Sequence, residues 1–566
     1  MSNNFAELTG PALQERMGGL LKVEALLAER GSTKMEPVFR AKSRPQALLP
    51  YALAAVFALW SLRGASNVNI ADTDAARHFM NGAFLHDLIA GGRVLHPIQF
   101  GKEYYGHLPA LSMPYHPPLF PAIEALFFLV FGVKLLAARV AVALAVGVSV
   151  VLFYRLLRAT HGSDLLAACV TISLFSLWIS QLVATSVMLE YPSLAFTLAA
   201  LYCLRDFESG YPLRRALMFA VLAAAAVWTK QFAVFLGAVP LAYALFQRRW
   251  GVLFGKAMWI SSALFGCAVI ALMSLSAPFH GAGVSQVPAE SHAITAMLKL
   301  NLDYYGPTIV TYMIGLPGVF TICAAASLVW LVYKGAWRRL HLGLYVAWAV
   351  LPMPILLLVY YDDRYFFILF PGLITIGFVL LSRAGILVFG EQRAWLAPVA
   401  FASAWLIAGL SFQPEFLRGP AEAAALVVRA DPARVLYAGD ADGNFVAAVR
   451  MLEPKLETSV IPGDKLPPET FHAAAFESFC HRYGVGWVVL ENSSGQEVGA
   501  AENEWAGLVT SPTPSMKLER SIPLDSSRAR WRGTVEVYRF VSAAAKPEGG
   551  LELHSNEIGG QVEAEP

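Results

Sequence analysis

The sequence predicts a polytopic α-helical membrane protein of about 11 transmembrane helices with a C-terminal α/β domain outside the membrane. Three observations predict it. Of 566 residues, 56% are apolar or aromatic and 15% are charged, and the mean hydropathy is +0.52; soluble domains carry about 25% charge. The charge is also unevenly placed: 36 charged residues lie within 46–414, and another 36 within the much shorter 415–566. Finally, the poorly charged stretch divides into apolar runs of roughly 17–25 residues, the length that crosses a bilayer. This excludes a soluble enzyme, a disordered chain and a nucleic-acid binder built on a basic face. The net charge of +2 says nothing about partners.

Residues 1–45 are polar and basic and read as a cytoplasmic N-terminal segment. The first apolar run, Gln46–Trp60, has no A-x-A cleavage pattern, so no secretory signal is expected. Residues 46–412 form the transmembrane region. Its runs begin near Gln46, Lys134, Asp164, Val187, Arg215, Gln231, Gly251, Gly306, His341, Arg364 and Trp395. The stretch Leu119–Gly132 is about 14 residues long, follows two prolines and carries Glu124, so it reads as interfacial rather than spanning. The basic clusters Arg155/Arg158, Arg205/Arg214/Arg215, Arg248/Arg249, Lys334/Arg338/Arg339 and Arg383/Arg393 then all share the N-terminal side, as the positive-inside rule asks. A long external loop, 63–134, results.

With an odd number of spans, the tail lies outside. Residues 413–541 read as an external α/β domain, with strands at Val435–Gly439, Thr458–Ile461, Gly486–Glu491 and Val535–Phe540 and helices at Gly443–Leu452 and Pro468–Tyr483. Residues 542–566, rich in Ala, Gly and Glu, are expected to be disordered. The five cysteines have no metal-ligand spacing, so neither a metal site nor a disulfide framework is expected.

On this topology ten of the fourteen acids of the middle region are external. Charges beside a bilayer are costly unless paired or hydrated, which makes them functional candidates. Asp72 and Asp74, with Arg77 and His78 close behind, could supply a general base and its partner, hold a divalent cation, or cap a helix. Tyr115 and His116 precede Pro117-Pro118 and read either as a rigid helix entry or as a substrate contact. Glu190 stands alone at the outer end of a run; pairing with Arg77 or Lys230 is its structural explanation. Lys230 suits a lipid phosphate or simple snorkelling. In Tyr360-Tyr-Asp-Asp-Arg-Tyr365, Arg364 could grip a phosphate or pair with Asp362 or Asp363.

Taken in order, these marks resemble the GT-C superfamily of polytopic glycosyltransferases, in particular the group shared by aminoarabinose lipid A transferases and protein O-mannosyltransferases. They are the acidic motif after the first run, the x-Pro-Pro-Leu helix ending in Phe131-Gly132, Arg139, Glu190-Tyr-Pro192, Thr229-Lys230 and Arg364-Tyr365, spread over residues 46–382. The resemblance implies transfer of a sugar from a polyprenyl-phosphate-linked monosaccharide to a hydroxyl of a lipid, glycan or protein acceptor. The place would be the outer side of a bacterial cytoplasmic membrane, with the C-terminal domain periplasmic. It implies an aspartate as general base, Asp74 or Asp72. Ala75 stands where the family carries Glu, and His116 where it carries Lys. Lys230 and Arg364 inherit the donor phosphate, while Arg77, His78, Tyr115, His116, Glu190 and Asp363 are expected near substrate. No organic cofactor is implied, a divalent cation stays open, and no nucleic acid is expected. A flippase of lipid-linked sugars and a polysaccharide polymerase or ligase are the competing readings. The first predicts charges at the bilayer midplane and paired halves, and the second a large external loop late in the chain.

Overall fold

The computed structural model describes residues 47–65, 70–205, 210–277, 294–304, 341–359, 362–430, 433–493, 502–527, 532–541, 551–555 and 560–564. Each predicted run within these residues starts close to a helix; the run expected from Gly306 lies outside them. The helices are shorter than the apolar runs. Among the described residues, three are long and apolar enough to cross a membrane: Leu135–His161, Lys256–Ser276 and Glu391–Leu410. A fourth span results if the bent pair Asp164–Ser176 and Trp178–Ala184 counts as one. Shorter apolar helices accompany them, and the expected count of about 11 transmembrane helices is not confirmed among the described residues.

Hydropathy averages over breaks that the backbone must obey. Pro240 sits in the first turn of Val239–Phe246, so the run from Gln231 opens as a 3-10 helix, Gln231–Ala238, and restarts. At Leu177 the backbone turns extended and the chain bends by 67°. Gln181 donates from Nε2 to the Phe175 carbonyl, at 2.5 Å, and so takes up an acceptor at that break. Lys230 ends Leu213–Thr229 in extended conformation, with φ −151°.

Leu119–Phe131 is a 13-residue helix. At 1.5 Å per residue it reaches about 20 Å, short of the ~30 Å hydrocarbon core. It packs on the helix Thr73–Ala90, where a Cβ on Gly82 would come within 2.9 Å of Glu124 Cβ and 3.0 Å of Phe128 Cε2. Only glycine allows that approach.

The C-terminal region builds a six-stranded sheet from β1 (Leu417–Arg418), β2 (Arg434–Ala438), β3 (Ser459–Pro462), β4 (Val485–Ser493), β5 (Met516–Ser526) and β6 (Gly533–Phe540). Their order is β1-β5-β6-β4-β2-β3. β2 pairs in parallel with β3 and β4, and β6 closes antiparallel on β4. The four strands read from sequence are β2, β3, β4 and β6. β5 escapes the pattern because it carries Lys517, Glu519, Arg520 and Pro523, with a register shift near Leu518. Within the segment expected to be disordered, β7 (Leu551–Ser555) and β8 (Gly560–Ala564) pair antiparallel. The alternating Leu-Glu-Leu-His run is the ribbon signal that composition averages away.

The helix Asp442–Leu452 joins the two regions by packing on Thr73–Ala90. Asn444 donates to the Ile70 carbonyl at 2.6 Å. Arg450 grips Asp87 through Nε (2.8 Å) and Nη2 (2.5 Å), and Tyr104 donates to the same carboxylate at 3.0 Å. A bidentate Arg–carboxylate pair fixes direction as well as distance. The sheet domain is thereby registered on the helix that opens with Asp72 and Asp74.

Candidate active site

The site is assembled from two helix caps of the same design. Asp72 is the N-cap of Thr73–Ala90; it is extended, and its Oδ1 accepts from the Asp74 amide at 2.8 Å. Asp362 is the N-cap of the 3-10 helix Asp363–Ile368, and its Oδ1 accepts from the Arg364 amide at 2.8 Å. An Asp at this position satisfies amides that a helix start leaves unpaired. Each cap presents the residue two places on. Those two residues meet: Arg364 Nη2 donates to Asp74 Oδ2 at 2.7 Å, across 290 positions of sequence. Arg364 also holds Asp362 through Nε (2.9 Å) and Nη2 (2.5 Å), and its Nη1 lies 3.1 Å from Met188 Sδ.

Beside this knot, Lys230 Nζ contacts Glu190 Oε1 at 2.5 Å, with Glu190 Oε2 buried and unpartnered. Lys230 also stands over the rings of Phe232 (5.4 Å) and Tyr365 (5.2 Å), a cation–π setting. Glu190, Lys230, Arg364, Tyr365 and Trp348 line one cleft of about 390 Å³, whose remaining wall is largely apolar. Two cations facing an apolar cleft suit a lipid-borne anion.

On the other side of Asp74, the His78 and His116 rings stack edge to face at 4.6 Å, with Tyr115 4.9 Å from His116. Gln231 donates to the Tyr115 carbonyl, tying this loop to the Lys230 turn. Burial holds His78 down at about 3, and burial with the neighbouring His78 keeps His116 well below its usual value, so both are neutral at pH 7. His78 Nδ1 is buried without a partner. Burial pushes the Asp74 carboxyl up, but the Arg364 guanidinium outweighs it and holds Asp74 well below the usual carboxylate range.

The structure thus brings together Asp74, His78, Tyr115, His116, Glu190, Lys230 and Arg364. Asp72, 5% exposed, is the cap of the Asp74 helix and also the strongest attractive charge acting on Arg364. Arg77 acts on Asp442 of the sheet domain, lowering a carboxyl that burial and Asp464 raise to about 6. Asp363 accepts from Tyr304 at 2.8 Å, whereas Asp362, which sequence reasoning left out of the site, is the partner of Arg364. The signal was there: Asp362-x-Arg364 repeats the i, i+2 spacing of Asp72-x-Asp74. Among the described residues, no three of His, Cys, Asp or Glu come together as metal ligands.

Residues 115–276 match the family described as dolichyl-phosphate-mannose-protein mannosyltransferase. Tyr115, His116, Glu190 and Lys230 lie inside that range. No curated protein sequence matches the chain. Among solved structures, the chain resembles ArnT from Cupriavidus metallidurans bound to undecaprenyl phosphate, at TM-score 0.48 and 14% identity over 90% of this chain and 100% of that one. It also resembles the oligosaccharyltransferase AglB from Archaeoglobus fulgidus, at TM-score 0.47 and 12% identity over 79% of this chain and 70% of that one. The mycobacterial arabinofuranosyltransferase AftD gives TM-score 0.47 and 15% identity over 91% and 43% of the two chains.

Proposed function

We propose that this chain, a membrane glycosyltransferase of the GT-C superfamily, moves a sugar from a polyprenyl-phosphate donor to an acceptor hydroxyl on the outer face of the bacterial cytoplasmic membrane. One observation carries the reading. Lys230 and Arg364 share a largely apolar cleft, and Arg364 is bonded directly to Asp74. The family matched over 115–276 is described by a dolichyl-phosphate-linked sugar, which agrees with a lipid phosphate in that cleft.

In this reading the donor phosphate enters between Lys230 and Arg364, and the polyprenyl chain follows the apolar wall. Its oxygens compete with Asp74 and Asp362 for Arg364 and with Glu190 for Lys230. Phosphate binding therefore loosens Asp74 from its cation and makes it a stronger base at the moment an acceptor is needed. Asp74 takes the proton of the acceptor hydroxyl as its oxygen attacks the anomeric carbon. The bond from that carbon to the phosphate oxygen breaks, and the electron pair leaves with the phosphate. Lys230 and Arg364 stabilise the charge gathering there, where an apolar surround strengthens the effect. His78 and His116, neutral and next to Asp74, offer hydrogen bonds to sugar or acceptor without adding charge. Asp72 positions Asp74 and does not act as base. The sheet domain, gripping the Asp74 helix through Arg450 and Asn444, stands on the acceptor side and is periplasmic.

The test is transfer by the full chain in membranes, with lipid-linked sugars and envelope glycans compared by mass spectrometry. Loss of a glycan product in Asp74→Ala, with donor binding retained, is expected. Full transfer in both Asp74→Ala and Asp72→Ala sinks the reading.

A further inference from the structure

The turn that carries Arg364 is held by a helix that takes no part in the wall of the donor cleft. Residues 294–304 are helical, and their buried and half-buried positions, Ile294, Met297, Leu298, Asn301 and Tyr304, fall at the spacing of one helix face. Asn301 and Tyr304, three residues apart, both meet the chain just before Arg364. Asn301 is 0% exposed. Its Nδ2 donates to the carbonyls of Leu357 (2.8 Å) and Val359 (2.8 Å), with that of Leu356 at 3.5 Å. Tyr304 donates from its hydroxyl to Asp363 Oδ1 at 2.8 Å.

Both contacts fix direction. The helix Met353–Leu358 has six residues and stops where Val359 turns extended, so its last carbonyls have no partner within their own helix. A buried carboxamide that takes two carbonyls at this end sets where the helix stops. Asp363 is the first residue of the 3-10 helix Asp363–Ile368, immediately before Arg364. Successive side chains of a 3-10 helix point about 120° apart, so tying Asp363 to Tyr304 turns Arg364 away from residues 294–304. That is the direction observed: the guanidinium lies on Asp362, Asp74 and Met188 Sδ. An apolar side chain at 301 or 304 would bury as well. A carboxamide and a hydroxyl, each bonded to the segment before Arg364, also aim it.

We infer that Asn301 and Tyr304 are positioning residues of the donor site: they hold the segment before Arg364 so that its guanidinium meets Asp74 and lines the Lys230 cleft. The inference rests on the proposed function for the phosphate that Arg364 receives, and on the hydrogen bonds alone for its aim. It adds residues 294–304 to the elements on which the Asp74–Arg364 bond depends. Asp74 is faced by Arg364, His78 and His116, and both rings are neutral, so a misdirected Arg364 leaves burial to raise the Asp74 carboxyl.

The test uses the full chain and three readouts: undecaprenyl phosphate binding in nanodiscs by native mass spectrometry, the pH profile of transfer in membranes, and hydrogen exchange of the 364–368 amides. Tyr304→Phe removes one hydroxyl. It should weaken undecaprenyl phosphate binding about threefold to tenfold, the worth of one hydrogen bond, bring an acid limb into transfer between pH 5 and 8, and speed exchange at 364–368. Asp363→Ala removes the other end of the same bond and should give the same changes, and the two substitutions together no more than either alone. Asp363→Asn, whose amide oxygen still accepts from Tyr304, should keep the pH profile of the unsubstituted chain. Asn301→Ala should act in the same direction; Tyr304→Phe and Asp363→Ala carry the test if that chain folds poorly. Lower thermal stability in Tyr304→Phe with binding, profile and exchange all unchanged overturns the inference and leaves Tyr304 to packing. Losses that simply add in the double variant overturn it too. Arg364→Met addresses the donor reading separately: undiminished undecaprenyl phosphate binding there would overturn the donor cleft, while faster exchange at 364–368 in Tyr304→Phe would still uphold the positioning role.

Discussion

Arg364 and Asp74 stand 2.7 Å apart although 290 positions separate them in the chain. Each is the second residue after a capping aspartate. The bond ties the outer start of a late helix to the first residues of an early one, and it sets the charge state of the candidate base. With Arg364 in place, Asp74 is ionised across the physiological range.

Removing the two aspartates should therefore have different consequences. Asp74→Asn should lower transfer by about 10² to 10⁴, the range of a general base, with little change in undecaprenyl phosphate binding. Asp72→Ala should cost about 1 kcal/mol of stability as a lost N-cap and reduce turnover far less. Initial rates together with thermal unfolding of each variant decide it; an equal loss of turnover in both would restore Asp72 as a catalytic candidate.

The pH profile follows from the Asp74 shift. A carboxyl held well below its usual value stays ionised as pH falls, so Asp74 should give no acid limb in kcat/KM between pH 5 and 8. In Arg364→Met the cation is gone and burial remains, which raises the carboxyl. The acid limb should then move up into the measured range, alongside weaker donor binding. A profile of unchanged shape would show that Arg364 does not control this group.

Lys230 and Glu190 form a buried pair, 18% and 5% exposed at their side chains. Lys230→Met leaves the Glu190 carboxylate without its partner, so it should destabilise the chain, by about 3–5 kcal/mol if burial is complete, and also weaken undecaprenyl phosphate binding. Adding Glu190→Gln should return much of the stability and none of the affinity. Recovery of both would mean the lysine served packing alone.

The joint between the regions should be equally sensitive. In Arg450→Met, Asp87 keeps Tyr104 and the His86 ring 2.8 Å away but loses its bidentate cation, and a buried charge that loses its ionic partner costs up to about 3–5 kcal/mol. Unfolding temperature should fall steeply, and Asp87→Asn added to Arg450→Met should recover part of it. Limited proteolysis should show faster cleavage between the sheet domain and the helical region.

Within the sheet domain, Glu491 accepts from Tyr437, and from the amides of Asp440 (2.9 Å) and Ala441 (3.1 Å), yet burial raises its carboxyl to about 7. An acid raised on folding is ionised first in the unfolded chain. Its contribution is therefore lost as pH climbs from about 4.5 to about 7 and is constant above that. Chemical denaturation of this domain should show stability falling over that window, and Glu491→Gln should flatten the fall. A rise in stability over the window would contradict the burial effect.

Much of this site was legible in sequence because charge is conspicuous against an apolar background. Asp74, Glu190, Lys230 and Arg364 stood out one by one, and the structure collects all four. What sequence reasoning could not assign was partnership. Asp362 and Asp363 are adjacent and chemically identical; only the 3-10 turn starting at Asp363 decides that Asp362 faces Arg364 while Asp363 receives Tyr304. Arg77, three residues after Asp74, acts on Asp442 of another domain.

The amino-acid sequence by itself determined the apolar character of residues 46–412, the positions of the charges that interrupt it, and four strands of the tail. Those properties are local: periodicity, hydropathy and turn chemistry act over a few residues. Only the tertiary structure decided which helices are continuous, and that Asp74 is bound by Arg364 and Glu190 by Lys230. Ion pairing and burial depend on distance in space, and residues hundreds of positions apart have no distance until the chain has folded.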